Sequence, residues 1–209
     1  LGTRPDALPL RPSGHIVCGN ACRLDWNTVC PHTADEEVYV MGNPPYLGYT
    51  LQDENQKADL KHAWRGFSDS QNIDYISAWF ILATQYISQT NAHAAFVSTN
   101  SICQGDSVSS IWHPILDSNV IIRFAHTSFK WRNNAKHNAG VACVIIGLSD
   151  KSNSPERHLY NGEDKIKVEN INPYLLNAPN IIVGRLPNPI VSASVMTKGS
   201  IPVDGGNLI

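Results

Sequence analysis

The sequence has no long apolar run, no excess of charge of one sign and no regularly spaced set of cysteines. Its longest nearly apolar run, residues 139–148, is about half as long as the ~20 residues of a transmembrane helix, so we predict no membrane span. Sixteen Lys and Arg against 18 Asp and Glu leave a net charge of −2, so contact with a polyanion requires a local basic patch. The five cysteines are odd in number, which favours reduced thiols and a cytoplasmic protein.

What the sequence does contain is typical of a globular domain. Its 209 residues are 42% apolar and 16% charged, which permits a sizeable core and excludes a disordered charged tail. Thirteen prolines and 14 glycines predict short elements joined by loops.

Short β-branched segments alternate with segments of helical periodicity. Apolar residues recur at helical spacing over residues 73–87, and a second helix is predicted over residues 108–116. Residues 52–70 suit an exposed helix or a mobile loop, and residues 152–163 suit a polar loop. Strands are predicted over residues 16–18, 38–41, 94–97, 120–124 and 141–148. This alternation predicts an α/β fold with a mostly parallel sheet.

The tetrapeptide Asn43-Pro44-Pro45-Tyr46 follows the predicted strand 38–41, where ligands of open parallel sheets bind. An Asn side-chain oxygen and the Pro44 carbonyl can accept both N–H bonds of a planar amino group and aim its lone pair at an electrophile. Pro45 keeps the Pro44 carbonyl out of a β-ladder, and Tyr46 offers a face for a planar ring. The alternative is a tight Pro-Pro turn with an incidental aromatic residue.

Several segments beyond this tetrapeptide, in the same order along the chain, carry a resemblance to a known family. The segments are residues 18–26 (CGNACRLDW), 42–48 (GNPPYLG), 73–75 (IDY), 96–102 (FVSTNSI), 124–131 (FAHTSFKW), 171–175 (INPYL) and 202–207 (PVDGGN). Together they resemble the methylase part of the MmeI-like (type IIL) restriction–modification enzymes. In such enzymes, Asn-Pro-Pro-Tyr is motif IV of S-adenosylmethionine-dependent amino-methyltransferases that act on adenine N6.

The resemblance implies a fold, a cofactor and a partner. The fold is a partial Rossmann-like class I S-adenosylmethionine-dependent methyltransferase, an α/β fold whose mostly parallel sheet has an antiparallel last strand. Residues 1–165 would form the partial catalytic domain, and residues 166–209 a linker or the start of the target-recognition region. The cofactor would be S-adenosyl-L-methionine and the partner double-stranded DNA. No metal is required for methyl transfer, because the sulfonium already activates the methyl group.

The resemblance also implies roles for individual residues. Asn20, with Ala21, would bind the adenine of the cofactor, and Asn43 would lie beside the cofactor. Asn43 and Pro44 would hold the target amino group. Tyr46 would stack on the target base, which must leave the duplex because its N6 is otherwise paired.

Phe129 would close on the other side of that base. It belongs to residues 123–137, where basic and aromatic residues alternate, as suits a loop that grips phosphates around a flipped base. Lys130 and Arg132 are the candidate phosphate ligands. The alternative is a solvated hairpin whose aromatic residues, Trp131 among them, belong to the core.

The chain departs from the family by lacking a glycine-rich cofactor loop after a first strand. We expect that loop to lie upstream of Leu1, and we expect the 209 residues alone to bind cofactor weakly or not at all. Two other functions stay open. One is methyl transfer to another planar nitrogen, such as a glutamine amide or an RNA base, and the other is a non-catalytic DNA-contacting or structural fragment.

Two further features have competing interpretations. Asp74 could orient the Asn-Pro-Pro-Tyr loop, or it could serve only the start of the following helix. The set Cys18, Cys22, Cys30 and His32 could form a zinc site, but its spacing matches no usual zinc pattern. We therefore interpret these cysteines as strand or core thiols.

Overall fold

The computed structural model describes residues 16–67, 72–130, 142–153 and 156–184. Its helices are α1 (Trp26–Val29), α2 (Glu54–Ala63), α3 (Ser77–Ile87) and α4 (Asp106–Asp117). Its strands are β1 (Tyr39–Gly42), β2 (His93–Thr99), β3 (Val120–Lys130), β4 (Ala142–Asp150), β5 (Arg157–Asn161) and β6 (Asp164–Val168). Short 3₁₀ turns follow at Tyr49–Leu51, Asn100–Cys103 and Lys151–Asn153. None of the helices in these ranges is long and apolar enough to cross a membrane.

The strands form one sheet in the order β1-β2-β4-β3-β5-β6. Strand β1 is parallel to β2 and β3 is parallel to β5, whereas β4 is antiparallel to both of its neighbours and β6 to β5. Four of the six strands therefore run in one direction, which confirms the predicted α/β fold with a mostly parallel sheet. Three of the five neighbouring pairs are nevertheless antiparallel, because β4 inserts between β2 and β3 and β6 pairs with β5 as a hairpin.

Helices α3 and α4 cover one face of this sheet. The ring of Phe80 on α3 lies 5.3 Å from that of Phe96 on β2 and 6.0 Å from that of Trp112 on α4. All three side chains are buried, and the Trp112 indole N–H donates to the Ile102 carbonyl at 2.8 Å. The helical periodicity of the sequence thus identified both helices, and their apolar faces make the core.

Two strand predictions need correction. Residues 16–18 form no strand; Ile16 is 95% and Val17 48% exposed, since this short apolar segment pairs with none of the described strands. Strand β1 exists as predicted but is not buried, because β2 is its single partner among the described strands. Tyr39 and Met41 on β1 are therefore 57% and 78% exposed.

The polar regions agree with expectation only in part: the segment 52–70 contains a helix, one of the two predicted alternatives, but one face of that helix is buried. The polar segment before residue 67 contains helix α2, which begins with a capping box between Asp53 and Gln56. The predicted loop over residues 152–163 is wrong, because β5 lies within it. Strand β6 crosses the expected boundary after residue 165, and Ile171 and Leu175 belong to the core.

Gly147 on β4 is a position at which the fold tolerates no side chain. A Cβ atom placed there would lie 2.1 Å from the ring of Phe124 on β3. We expect Gly147→Ala to lower the free energy of unfolding by about 1–3 kcal/mol through overpacking, measured by urea denaturation. The cost should vanish in a Phe124→Ala background, as a double-mutant cycle would show.

Gly48→Ala provides the control for this prediction, because nothing lies within 4 Å of the added Cβ. Its stability should stay within about 1 kcal/mol of the wild type. An equal loss for both variants would show that the steric conflict with Phe124 does not determine the effect.

Candidate active site at the end of strand β1

The tetrapeptide Asn43-Pro44-Pro45-Tyr46 begins where β1 ends, at Gly42. Asn43 and Pro44 line a cavity of about 740 Å³. Asn43 is exposed and its side chain forms no hydrogen bond with the part of the chain that the structure describes, whereas Pro44 is buried and Pro45 exposed. Within the described residues, a buried proline therefore lies beside a carboxamide whose oxygen is available to accept a hydrogen bond.

The loop is held at the residue that follows Tyr46. The Leu47 N–H donates to the Asp74 Oδ1 at 3.0 Å, and the Leu47 carbonyl accepts from the Tyr75 N–H at 3.0 Å. The Gln52 side chain donates to the same carbonyl at 2.9 Å and to the Ile73 carbonyl at 3.0 Å. Both polar groups of the Leu47 backbone are therefore bound, so the loop has a defined position relative to the start of α3.

Tyr46 and Phe129 lie at the same end of the sheet, each next to Cys143. Tyr46 is half-buried, and its hydroxyl shares a hydrogen bond with the Cys143 thiol on β4. Burial, together with Cys143, raises the pKa of Tyr46. Cys143 is paired in register with the half-buried Phe129 on one side and with Thr99 on the other. The structure therefore brings these two predicted aromatic residues to one region.

Ala21 and Asn20 lie in a turn that precedes α1. Ala21 lines the same cavity as Asn43, and its carbonyl accepts from the Trp26 indole N–H at 2.9 Å. The Asn20 Nδ2 donates to the Asp59 Oδ2 at 2.7 Å, and the Asn20 Oδ1 accepts from the Cys22 N–H at 2.9 Å. Internal hydrogen bonds thus occupy much of the Asn20 side chain, which leaves one N–H and one lone pair for a ligand.

Asp59 on α2 is a site-forming residue that the sequence analysis missed. It is 6% exposed and accepts hydrogen bonds from the Arg23 Nε at 2.5 Å, from Asn20 and from the Tyr75 hydroxyl at 2.9 Å. Asp59 shares a buried helix face with Leu60 and Ala63. The position of Asp59 on the same helix face as these apolar residues was the signal in the sequence from which its burial could have been predicted.

Burial by itself would raise the pKa of the Asp59 carboxyl. The hydrogen bonds from Arg23, Asn20 and Tyr75 outweigh burial and hold this pKa below its ordinary value. An unfolded chain then binds the proton at higher pH than the folded one, so the stability contributed by Asp59 is present above the ordinary aspartate pKa of about 3.9 and is lost as the pH falls below it.

We therefore expect the wild type to lose stability more steeply than Asp59→Asn as the pH decreases from 5 to 3. The neutral amide cannot take up the proton that destabilises the folded wild type. Denaturant midpoints measured across this pH range provide the test. Parallel pH profiles for the two proteins would contradict it.

The remaining predicted residues are less closely associated with the cavity. Lys130 is exposed at the end of β3, next to Phe129, and Arg132 and Trp131 lie outside the described residues. Cys22 is buried, whereas Cys18 and Cys30 are exposed. In the described ranges, no group of three or more His, Cys, Asp or Glu side chains is arranged to hold a metal ion.

An open α/β sheet with a cavity at the carboxyl end of one of its parallel strands is typical of a Rossmann-like domain. The profile of the MmeI DNA-methyltransferase domain matches residues 1–161 of the chain. The chain therefore belongs to the family of MmeI DNA-methyltransferase domains, as the sequence motifs indicated.

Two relatives match this chain over only part of their own lengths. DNA methyltransferase A of Bacillus subtilis (strain 168) is 44% identical over 202 residues, which is 97% of this chain and 23% of that protein. The solved structure of the Type IIL restriction-modification enzyme MmeI in complex with DNA matches with 37% identity and a TM-score of 0.76 over 86% of this chain and 24% of that one. The chain thus spans about a quarter of either relative.

Proposed function

We propose that the chain is part of an S-adenosylmethionine-dependent DNA methyltransferase that transfers a methyl group to the N6 of adenine within a restriction–modification protein. The observation that carries this proposal is the exposed carboxamide of Asn43, which has no hydrogen bond to the described residues and lines the cavity after β1 beside the buried Pro44. Family membership and the likeness to an enzyme solved with DNA support double-stranded DNA as the partner.

The residues of the cavity fit the proposed cofactor. Trp26, Val40, Trp79 and Tyr86 give the cavity a largely apolar wall, and its volume of about 740 Å³ lies within the range of small-molecule sites. Ala21 would lie beside the cofactor, and Asn20 would use its remaining N–H and lone pair toward the adenine of the cofactor. The cofactor supplies a methyl group on a sulfonium centre, so the protein needs no metal to activate it.

The task of the protein is then to prepare the amino group. The Oδ1 of Asn43 and the carbonyl of Pro44 would accept the two N–H bonds of adenine N6. These two hydrogen bonds reduce the delocalisation of the nitrogen lone pair into the purine ring and direct it out of the ring plane. The hydrogen bonds at Leu47 hold the backbone of this loop before the base arrives, which limits the reorganisation needed at the moment of reaction.

The target base reaches these acceptors only when it is flipped out of the duplex. Tyr46 would stack on the extruded base and Phe129 would close on its other face. The hydrogen bond between Tyr46 and Cys143 restrains the tyrosine ring, and burial of part of that ring fixes its plane. Lys130 and Arg132 would contact the phosphates of the flanking strand.

The remaining proposals concern organisation and location. We propose that residues 1–165 belong to the catalytic domain and that the target-recognition region begins in residues 166–209, after the core residues Ile171 and Leu175. We also propose a cytoplasmic location, since the proposed substrate is DNA and the sequence contains an odd number of cysteines.

The substrate is tested by incubating the complete protein with methyl-labelled cofactor and three acceptors, which are duplex DNA, RNA and a glutamine-containing peptide. We expect label in DNA alone, and digestion to nucleosides should yield N6-methyladenine. Label in the peptide or in the RNA would instead favour methyl transfer to a glutamine amide or to an RNA base. Binding of DNA without label in any acceptor would favour a non-catalytic fragment.

A further inference from the structure

Asp74 and Tyr75 lie between the two loops that carry the proposed site residues. Asp74 accepts the Leu47 N–H at 3.0 Å, and the Tyr75 N–H donates to the Leu47 carbonyl at 3.0 Å. Leu47 follows Tyr46 directly, so these two bonds hold the end of the Asn-Pro-Pro-Tyr loop. Two consecutive residues thus bind both polar groups of one backbone position.

The hydroxyl of Tyr75 links the same segment to the other loop. It donates to the Asp59 carboxylate at 2.9 Å, and this carboxylate in turn binds Asn20 at 2.7 Å and Arg23 at 2.5 Å. The Tyr75 side chain is buried, and its ring packs edge-on against Trp79 at 5.2 Å. The connection from the start of α3 to the turn at residues 20–23 is therefore continuous, and its central bond between Tyr75 and Asp59 is buried.

We propose that Asp74 and Tyr75 form a brace that fixes the amine-binding loop and the residue 20–23 turn relative to each other. Asp74 is the positioning residue for Asn43 and Pro44, and Tyr75, through Asp59, is the positioning residue for Asn20 and Ala21. This inference rests on the proposed function, in which the two loops hold the methyl acceptor and the methyl donor. In-line transfer requires both to be placed to within a fraction of an ångström.

A purely structural role for Asp74 predicts a different outcome. Its Oδ1 also accepts the Ile76 N–H at 3.1 Å, as a helix-capping side chain does. Serine is a good capping residue, but its hydroxyl is carried on a side chain one atom shorter and would not reach the Leu47 N–H. Asp74→Ser therefore keeps the local cap and removes the bond to the loop, whereas Asp74→Asn keeps an acceptor oxygen for both.

The test for Asp74 compares these variants in the complete protein by steady-state methyl transfer to duplex DNA. We expect Asp74→Ala and Asp74→Ser to lower kcat by about ten-fold or more, with KM for DNA and cofactor within about two-fold of wild type. Asp74→Asn should retain kcat within about two-fold. Ile115→Val, which removes a buried methyl group from α4, controls for a general loss of stability.

Asp74→Ser at the wild-type rate would show that capping suffices and would overturn the assignment of Asp74. Equal losses for Asp74→Asn and Asp74→Ala would do the same, because the brace needs only an acceptor oxygen at that position.

The test for Tyr75 uses the cofactor. Tyr75→Phe keeps the ring against Trp79 and removes the bond to Asp59, so we expect the cofactor Kd, measured by calorimetry on the complete protein, to rise about five-fold or more. The kcat at saturating cofactor should change less than the Kd. An unchanged cofactor Kd would overturn the Tyr75 half of the brace.

Hydrogen exchange of the peptide that contains residues 43–48 tests the brace without catalysis. Exchange at the Leu47 amide should accelerate in Asp74→Ala and Asp74→Ser and stay slow in Asp74→Asn. If the wild type transfers no methyl group, the proposed function fails while this measurement still decides the brace. If the wild type is active and exchange is the same in all variants, the brace alone fails.

Discussion

Replacing Asn43 with alanine is expected to abolish methyl transfer by the complete protein, with a loss in kcat of at least about 10²-fold. The substitution removes one of the two acceptors proposed for the amino group of the target base, and the lone pair of that nitrogen then stays delocalised in the ring. Single-turnover incorporation of labelled methyl groups into duplex DNA measures the loss. DNA binding, measured by fluorescence anisotropy, should stay close to that of the wild type.

The structure also predicts that this loss is not caused by unfolding. Asn43 is exposed and forms no hydrogen bond within the described residues, so its truncation should change stability by less than about 0.5 kcal/mol. Asn55→Ala on the exposed side of α2 is the matched control and should methylate at the wild-type rate. Asn43→Ala with undiminished turnover would remove the proposed mechanism.

Replacing Trp112 with alanine is expected to lower the free energy of unfolding by about 3–5 kcal/mol. The indole is fully buried, lies against Phe80 at 6.0 Å and donates to the Ile102 carbonyl at 2.8 Å. The substitution leaves a cavity between α3 and α4 and a buried carbonyl without its donor. Urea denaturation should show a lower midpoint with an unchanged m value.

Trp112→Phe separates the two contributions. It keeps an aromatic ring in the core but loses the indole N–H, so it should cost less than Trp112→Ala, about 1–3 kcal/mol. Equal costs for the two variants would assign the whole effect to the hydrogen bond. A cost below about 1 kcal/mol for Trp112→Ala would show that the core around α4 does not depend on this residue.

Local periodicity was a good guide where one face of an element is buried. Helix α3 carries buried residues at helical spacing, among them Phe80, Ala83 and Ile87, and β4 is buried along almost its whole length. The first residues of the predicted helix 73–87 are not helical, however, since α3 begins at Ser77. Asp74 and Tyr75 instead bind the backbone of Leu47 at the end of the Asn-Pro-Pro-Tyr loop, a contact between positions about 27 residues apart that no local pattern reveals.

The strand pair β5 and β6 was missed because its residues are largely polar, with β5 mostly half-buried and β6 mostly exposed. The signal for this hairpin was its turn. A two-residue loop begins with Gly162, whose φ of 62° suits glycine at the first central position of a hairpin turn. Hydrophobic periodicity did not indicate this hairpin. The glycine between two short segments that contain Leu159 and Ile166 did indicate it.

The sequence by itself determined the chemistry of the candidate site and the family. The order of its short motifs pointed to the MmeI methyltransferase domain, and the family profile confirmed it. An acceptor side chain, two prolines and an aromatic ring have the same chemical properties in any fold. Because these residues are adjacent in the sequence, the tetrapeptide could be recognised as a candidate site without the structure.

Only the tertiary structure decided how that site is held together. In the sequence, Asp59 is one of several charged residues in a polar segment. In the structure it is buried and accepts hydrogen bonds from three donors in two distant segments, so it links Asn20 to Tyr75. Cys143 likewise joins Tyr46 to the neighbourhood of Phe129 through strand pairing. Such roles depend on which segments the sheet and helices bring within hydrogen-bonding distance, because a hydrogen bond is determined by separation in space and not by separation along the chain.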